Sequence, residues 1–125
     1  MSATKEVIEC LGIAANAANG TKAENIVALD ISDTLGVADA FLIASASSPR
    51  QVLAIAEEIE KQLYLRCRRK PTSREGLEEA AWVLLDFDDF VVHVMTDESR
   101  EFYALEKLWA DSPRLNIALD KPAEA

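Results

Sequence analysis

The residues best suited to chemistry lie in one stretch, WVLLDFDDFVVHVM, at positions 82–95. It contains Asp86, Asp88 and Asp89 together with the single histidine of the chain, His93. An Asp-x-Asp pattern at the end of a strand can hold a divalent metal ion through its carboxylate oxygens, as phosphoryl and nucleotidyl transferases do. A histidine oriented by an aspartate can instead act as a general base. The stretch therefore raises the hypothesis of a reaction site.

Each enzyme hypothesis requires a further sequence feature that is missing: a phosphate-binding turn for the transferase, and a nucleophile beside the histidine for the general base. A transferase also needs a glycine-rich turn around the triphosphate, and the Ser-Ala-Ser-Ser segment at 45–48 contains no glycine. Local spacing places no serine or cysteine nucleophile near His93. The sequence therefore predicts no catalytic residue, no metal site and no cofactor. The alternative is a metal-dependent nucleotidyl or phosphoryl transferase that uses Asp86, Asp88 and Asp89.

The two cysteines give no sign of a shared site. Cys10 and Cys67 lie fifty-seven positions apart, without a CxxC spacing and without a histidine near either. This pattern predicts reduced thiols rather than a metal site or a thioredoxin-like motif. Charged residues interrupt the N-terminal segment, and no segment approaches the roughly eighteen apolar residues of a membrane span. We therefore expect no signal peptide, no membrane contact and a cytoplasmic location, or an organellar one after processing.

The charge of the chain is acidic but unevenly distributed. Thirteen basic residues against twenty-two acidic ones give a formal net charge of −9, which opposes general nucleic-acid binding and favours basic partners. Five cations nevertheless lie within nine residues that contain no acid: Arg66, Arg68, Arg69, Lys70 and Arg74. We interpret them as a solvated helix end that complements the helix dipole. The second interpretation is a contact between RNA phosphates and Arg66, Arg68, Arg69 and Lys70.

Hydrophobic periodicity divides the chain into helices and strands. The second helix has the clearest start, because Ser48 can cap it, Pro49 fits its first position and Gln51 completes a capping box. The predicted elements are a helix over 4–19, strands over 26–31 and 39–45, a helix over 48–66, a short edge strand within 71–76, a hairpin over 82–95 and a helix from 97 to about 111.

The hairpin divides its side chains into two faces, because side chains alternate along a strand. One face is wholly apolar and should point into the core: Val83, Leu85, Phe90, Val92 and Val94. The other face mixes large apolar groups with charge: Trp82, Leu84, Asp86, Asp88 or Asp89, Val91, His93 and Met95. Two registers, which place either Leu84 or Trp82 opposite His93, give the same faces. We expect the mixed face to be a contact surface.

The C-terminal part of the chain completes the predicted domain. The last helix should bury a stripe made of Phe102, Leu105, Leu108 and Trp109. Periodicity is weak after that helix, so we expect one domain over 1–112 and a loose C-terminal tail over 113–125. Together the elements predict a single α/β domain, with a mixed sheet of about five strands and flanking helices.

Four ordered blocks of the sequence carry a family resemblance. They are ALDIS at 28–32, the residues Ala38, Asp39 and Phe41 followed by Ser48, Arg50, Gln51 and Val52, the hairpin strands WVLLD and VVHV, and REFYALEKLW at 100–109. In that order and spacing the chain resembles the ribosomal silencing factor RsfS, the Iojap or YbeB family, from about residue 5 to residue 112.

The resemblance implies a mixed α/β fold distantly like that of nucleotidyltransferases, without the catalytic motif or the activity, and a homodimer when the protein is free. It also implies binding to the large ribosomal subunit through ribosomal protein number fourteen. Binding there blocks joining of the small subunit and represses translation under nutrient limitation. The family commonly has glycine in the hairpin turn where this chain has Asp88. We therefore expect Asp88 to adopt a positive φ, or the loop to be longer.

These observations predict a partner-binding surface on the mixed face of the hairpin and the neighbouring helix. Its members are Trp82, Leu84, Asp86, Asp89, His93, Arg100 and Tyr103. Asp86 and Asp89 would make charge-assisted contacts with a basic protein, and Trp82 with Leu84 would form an apolar anchor. A simple dimerisation module that uses the same face is a further hypothesis.

Overall fold

A computed structural model of the chain describes residues 4–33 and 38–119. Within those residues the chain forms four helices and six strands. The helices are α1 (Lys5–Gly20), α2 (Pro49–Cys67), α3 (Asp97–Tyr103) and α4 (Leu105–Leu108). The strands are β1 (Glu24–Asp30), β2 (Ala40–Ala46), β3 (Ser73–Glu75), β4 (Trp82–Asp86), β5 (Phe90–Thr96) and β6 (Arg114–Leu115). No helix in this part of the chain has both the length and the apolar character needed to cross a bilayer.

All six strands join one mixed sheet in the order β3-β4-β5-β2-β1-β6. β2 and β5 lie parallel at its centre, and the other neighbouring pairs are antiparallel. The prediction of a single mixed α/β domain is confirmed, and β3 is the short edge strand expected within 71–76. The sequence predicts a loose tail from residue 113, but Arg114 and Leu115 pair with β1 and add a sixth strand.

The Ser48 cap and the Pro49 position predicted at the start of α2 are present, whereas the side chain of Gln51 contacts Ser47 and Lys22. The Ser48 hydroxyl accepts a hydrogen bond from the Gln51 N–H at 3.3 Å, and Pro49 occupies the first helical position. This bond satisfies one of the amides that lack a partner in a first helical turn. The helix ends at Cys67, and the left-handed conformation of Arg68 (φ 57°) then turns the chain away before Pro71. Both ends of α2 are therefore fixed by local sequence.

The first face of the sheet, which packs against α1 and α2, contains the larger core. Alternate strand residues on this face are fully buried, and they include Leu42, Val83, Leu85, Phe90, Val92 and Val94. The two helices contribute Val7, Leu11, Val52, Ile55, Ile59 and Leu63 to the same core. The apolar face of the hairpin and the apolar stripe of α2 therefore lie where the sequence predicts them.

The second face of the sheet carries the other residues of the same strands and lies under α3 and α4. Its buried apolar side chains are Leu29, Ile31, Phe41, Ile43, Val91, Met95 and Leu105, against which Trp82, Leu84 and Trp109 pack. Three polar side chains are buried on the same side, namely Ser45, His93 and Arg100. The second face is thus a smaller core that contains aromatic and polar groups.

The C-terminal helix that the sequence predicts as continuous is interrupted at Ala104. A left-handed conformation at this residue (φ 47°) ends α3 and begins α4. Residues three positions apart in one helix share a face, so the sequence places Phe102 beside Leu105 in the core. The structure buries Leu105, whereas 78% of Phe102 is exposed. The prediction of a buried Phe102 is therefore wrong, because the break turns it away from the sheet.

Candidate docking surface

The β4–β5 hairpin positions most of the predicted contact residues. Leu84 lies opposite His93, which confirms the register with a loop of Asp88 and Asp89. Asp88 adopts φ 77°, and its N–H donates to Oδ1 of Asp86 at 2.8 Å. Aspartate tolerates the left-handed region better than most residues. The turn therefore keeps its length, and Asp88 itself takes the positive φ.

Asp89 is bound by an arginine from the end of α2. Nη2 of Arg69 lies 2.6 Å from Oδ1 of Asp89, and the same nitrogen donates to the Phe87 carbonyl oxygen at 2.8 Å. The hydrogen bond to Asp89 raises the pKa of Arg69 above its ordinary value. The Arg69 guanidinium also lies over the Phe90 ring, 5.3 Å from its centre. Asp89 is a predicted partner contact and Arg69 a predicted RNA contact. In the structure their charges neutralise each other, and the pair fixes the hairpin turn to the end of α2.

His93 is a buried residue of the second face. Only 4% of it is exposed, and its Nδ1 accepts a hydrogen bond from the Trp82 indole N–H at 3.1 Å. The centres of the His93 and Phe41 rings lie 4.6 Å apart in a T-shaped arrangement. Burial lowers the pKa of His93 to about 4, so the ring is neutral at pH 7 and carries its proton on Nε2. Within the described residues that Nε2 has no hydrogen-bond partner. The expected placement of His93 on an exposed contact face is therefore corrected.

Arg100 is buried as well, with 7% of it exposed. Its Nη1 donates to the Ser45 hydroxyl at 3.2 Å and to the Glu24 carbonyl oxygen at 3.4 Å. These contacts join α3 to the ends of β1 and β2, so the charged head is satisfied inside the fold. Arg100, which the sequence predicts as a partner contact, therefore positions α3 from inside the fold.

A patch of exposed apolar side chains lies beside these buried groups. We define the apolar patch as Leu77, Trp82, Phe102 and Tyr103. Its exposed fractions are 41% for Leu77, 78% for Phe102 and 50% for Tyr103, and Trp82 is half-buried. The Tyr103 ring lies 4.8 Å from that of Trp82 and 4.9 Å from that of Phe102. Exposed aromatic side chains that contact each other in this way are typical of binding surfaces.

An open groove runs along the apolar patch. It has a volume of about 520 Å³, and its lining includes Leu77, Trp82, Tyr103, Ser99, Glu78 and Glu79. Gly76 makes the groove possible, because it adopts φ +82° and a Cβ at this position would collide with the Trp82 carbonyl oxygen. Only glycine therefore lets the chain pass this closely over the start of β4 and place Leu77 beside Trp82.

The rim of the groove is acidic. Glu78 and Glu79 are both exposed there, and Asp86 and Leu84 are half-buried further along β4. An apolar centre with a charged rim is the usual anatomy of a protein-protein interface. Of the seven predicted contact residues, the structure thus brings Trp82 and Tyr103 into one exposed patch.

Two residues of the apolar patch were missed by sequence reasoning. Leu77 stands between Gly76 and two glutamates, a pattern that indicates an ordinary solvated loop. Phe102 matches the apolar period of its helix, and the sequence contains no glycine or proline that signals the break at Ala104. The local sequence therefore could not distinguish Leu77 from an ordinary loop residue, or Phe102 from a core residue.

The basic segment at the end of α2 is only partly available to a partner. Arg66, Arg68 and Lys70 are exposed, and the Lys70 ammonium lies 5.0 Å from the centre of the Tyr64 ring. Arg74 pairs with Glu60 at 2.7 Å, and Arg69 pairs with Asp89. Of the four residues predicted to contact RNA, three are therefore exposed cations.

The hairpin aspartates do not form the metal site of the transferase alternative. Oδ1 of Asp86 accepts the Asp88 N–H, and both carboxylate oxygens of Asp89 accept from Arg69. Across residues 4–33 and 38–119, no group of three or more histidine, cysteine, aspartate or glutamate side chains is arranged to hold a metal ion. Asp86 and Asp89 therefore hold the hairpin turn through these contacts.

Residues 4–125 match the sequence family described as "Ribosomal silencing factor during starvation". A Bacillus subtilis protein named ribosomal silencing factor RsfS is 47% identical over 107 residues, which cover 86% of this chain and 90% of the relative. A mouse protein named "Mitochondrial assembly of ribosomal large subunit protein 1" is 35% identical over 89 residues, which cover 70% of this chain and 39% of that protein. The bacterial relative carries the name of a regulatory factor and not of an enzyme.

The fold is also similar to that of a solved structure. A crystal structure of a protein from Chromobacterium violaceum superposes with a TM-score of 0.77 at 32% sequence identity, and covers 93% of this chain and 97% of that protein. Sequence and fold therefore point to the same set of relatives over nearly the whole chain.

Proposed function

The chain belongs to the family of ribosomal silencing factors, and from this membership we propose that it binds the large ribosomal subunit and blocks joining of the small subunit. Its direct partner is ribosomal protein number fourteen. The mechanism is steric occlusion, because a factor bound at the surface that meets the small subunit prevents assembly without any chemical step. Translation is thereby repressed when nutrients are limited.

The apolar patch is the proposed docking surface. The observation that carries this assignment is the contact of three aromatic rings, Trp82, Tyr103 and Phe102, on a surface where Phe102 is 78% exposed. Large aromatic groups at the centre of an interface supply most of its binding free energy. Their exposure is unfavourable in water unless a partner covers them.

Charge supports the same assignment. The chain carries a net charge of −9, and Glu78 and Glu79 lie on the rim of the groove. Ribosomal proteins are basic as a class because they bind RNA phosphates, so an acidic rim gains in steering and complementarity. Arg66, Arg68 and Lys70 are exposed on α2 and the loop that follows it, where they would add a minor contact with ribosomal RNA. Complex formation should therefore weaken as salt concentration rises.

Self-association is the competing use of the apolar patch. We propose that the free, cytoplasmic protein is a homodimer that covers the patch, and that binding to the ribosome replaces this contact. A protein that used the apolar patch only to dimerise would not bind the ribosome. Ribosome binding and dimerisation are therefore measured separately.

Sedimentation with purified ribosomal subunits tests the proposal. The protein should co-migrate with the large subunit in a sucrose gradient, and adding it before the small subunit should lower the yield of joined ribosomes. Failure to co-migrate would overturn the ribosomal proposal. Sedimentation equilibrium of the protein alone would then show whether the chain only dimerises.

Matched variants locate the surface. Phe102→Ala and Tyr103→Ala remove exposed rings, and each should weaken binding to the large subunit about tenfold with the fold intact. Ile8→Ala is the control, because Ile8 is a large apolar residue, 38% exposed, on α1 at the other side of the sheet. An equal loss in all three variants, or no loss in the first two, would contradict the apolar patch as the docking surface.

A further inference from the structure

The two cysteines, far apart in the sequence, meet in the fold. Cys10 lies in α1 and Cys67 is the last residue of α2. Their sulfur atoms are 3.1 Å apart, and the thiol of Cys10 donates a hydrogen bond to that of Cys67. Cys10 is 2% exposed, whereas Cys67 is partly exposed to solvent. One thiol is therefore accessible from outside, and the other stands directly behind it.

We propose that Cys10 and Cys67 form a reversible oxidation site, which an anionic low-molecular-weight disulfide such as oxidised glutathione converts to an intramolecular disulfide. A disulfide bond is about 2.05 Å long, so the two sulfur atoms need to approach by only about 1 Å. Cys67 is followed by Arg68, where the helix ends in a left-handed residue. The end of a helix can make a shift of this size more easily than its middle.

The surroundings of Cys67 favour an anionic oxidant. Arg66 and Arg68 are its neighbours in the sequence, and both side chains are exposed. Oxidised glutathione carries several carboxylates, so these cations attract it to the accessible thiol. Cys10 cannot be the first thiol to react, because its burial keeps a molecule of that size away. The order of the reaction is therefore fixed by access.

The oxidation proceeds in two exchange steps. The Cys67 thiolate attacks one sulfur of oxidised glutathione, which forms a mixed disulfide and releases one glutathione thiolate. Cys10 then loses its proton to solvent, and its sulfur attacks Sγ of Cys67. This step forms the Cys10–Cys67 bond and expels the second glutathione thiolate, which takes up a proton. Two cysteine thiols are oxidised by two electrons, and one glutathione disulfide is reduced to two thiols.

The second step is expected to be the slow one. Burial, together with the hydrogen bond to Cys67, raises the pKa of the Cys10 thiol to about 12. Of the nearby charged groups, Arg69 lowers this pKa and Asp89 raises it. The reactive thiolate is therefore scarce at neutral pH, and the disulfide should form faster as the pH rises.

Mass spectrometry of the full-length protein tests the site directly. The protein is equilibrated with mixtures of reduced and oxidised glutathione at pH 8, quenched with iodoacetamide in denaturant so that both thiols are accessible, and measured intact. We expect the oxidised form to take up no alkyl group and to weigh about 2 Da less than the reduced protein before alkylation, through loss of two hydrogens. The melting temperature should rise by about 5–10 °C, because the bond closes a loop between two packed helices.

Single variants separate the two steps. Cys10→Ser should stop the reaction at a mixed disulfide between glutathione and Cys67, and Cys67→Ser should leave Cys10 unmodified. Three outcomes would overturn the proposal: wild-type protein that remains fully alkylated, wild-type protein that accumulates only the mixed disulfide, or disulfides that join two chains. The wild-type measurement does not depend on how well either variant folds, and it is independent of ribosome binding.

Discussion

The two faces of one sheet differ in what buries them. On the first face, two helices of 16 and 19 residues cover apolar side chains. On the second face, helices of 7 and 4 residues cover Phe41 and His93. Arg100 of α3 is buried against the sheet, whereas Phe102 and Tyr103 of the same helix are exposed. Long amphipathic helices over an apolar face give stability with little specificity. The second face leaves part of its apolar surface exposed, and this exposed part is the proposed docking surface.

The largest predicted effect compares two adjacent leucines of β4. Leu85 is fully buried on the first face, and Leu84 is half-buried on the second. Leu85→Ala should lower the free energy of unfolding by about 3 kcal/mol through lost burial and a cavity, and Leu84→Ala by only about 1 kcal/mol. Urea denaturation of both variants measures the difference. Equal losses would show that the two faces contribute alike to stability.

His93 should make the stability of the second face sensitive to mild acid. Burial lowers its pKa from 6.5 to about 4 in the folded protein. Below pH 6.5 the unfolded chain therefore binds more protons than the folded one, so the stability is retained above pH 6.5 and is lost as the pH falls towards 4. The expected loss at pH 5 is about 2 kcal/mol, because one pKa unit corresponds to about 1.4 kcal/mol.

A glutamine variant isolates this contribution from the many carboxylates that titrate in the same range. His93→Gln keeps a polar side chain of similar length but does not titrate. Between pH 7 and pH 5, the unmodified protein should lose about 2 kcal/mol more of its free energy of unfolding than the variant does. Identical losses would mean that His93 is not held neutral by burial.

The smallest predicted effect concerns the β4–β5 turn and its ion pair with the end of α2. Asp89→Asn weakens a contact with Arg69 whose side-chain exposed fractions are 23% for Arg69 and 38% for Asp89, and it should cost about 0.5–1 kcal/mol. Glu60→Gln is the matched control, because Arg74 contacts one carboxylate oxygen of Glu60, with exposed side-chain fractions of 45% for Arg74 and 22% for Glu60; the expected cost is about 0.3 kcal/mol. Denaturant unfolding at low salt compares them, and an equal cost would show that the contact of Arg69 with both oxygens of Asp89 adds nothing to the stability of the turn.

The same division explains which features could be predicted from the sequence. The first face follows from short-range signals: the cap at Ser48, the apolar stripe of α2 and the alternation of Val83 and Leu85 are each readable within one element. Such local agreement with the fold is what hydrophobic patterning encodes. The hairpin register was one of two open choices, and the observed turn settles it.

The structure of the second face could not be predicted from any single segment of the sequence. His93 alternates with core residues in β5, and whether its face meets solvent is decided by α3 and α4, which follow later in the chain. The helix break at Ala104 then exposes Phe102 and buries Leu105. The meeting of Cys10 with Cys67 likewise requires α1 and α2 to pack in one register. Tertiary packing fixed these contacts, and it overrides local propensity.

The parallel pairing of β2 with β5 also governs when this chain can fold during its own synthesis. Ala40 pairs with Phe90 and Ala46 with Thr96, so each partner is translated fifty positions later. Contacts at such a separation form slowly, because a long loop must close before they are made. Until residue 96 has been translated, β2 stays an open strand edge that can pair with other chains. Translation of the C-terminal part of the chain therefore sets the time at which the centre of the sheet is protected from aggregation.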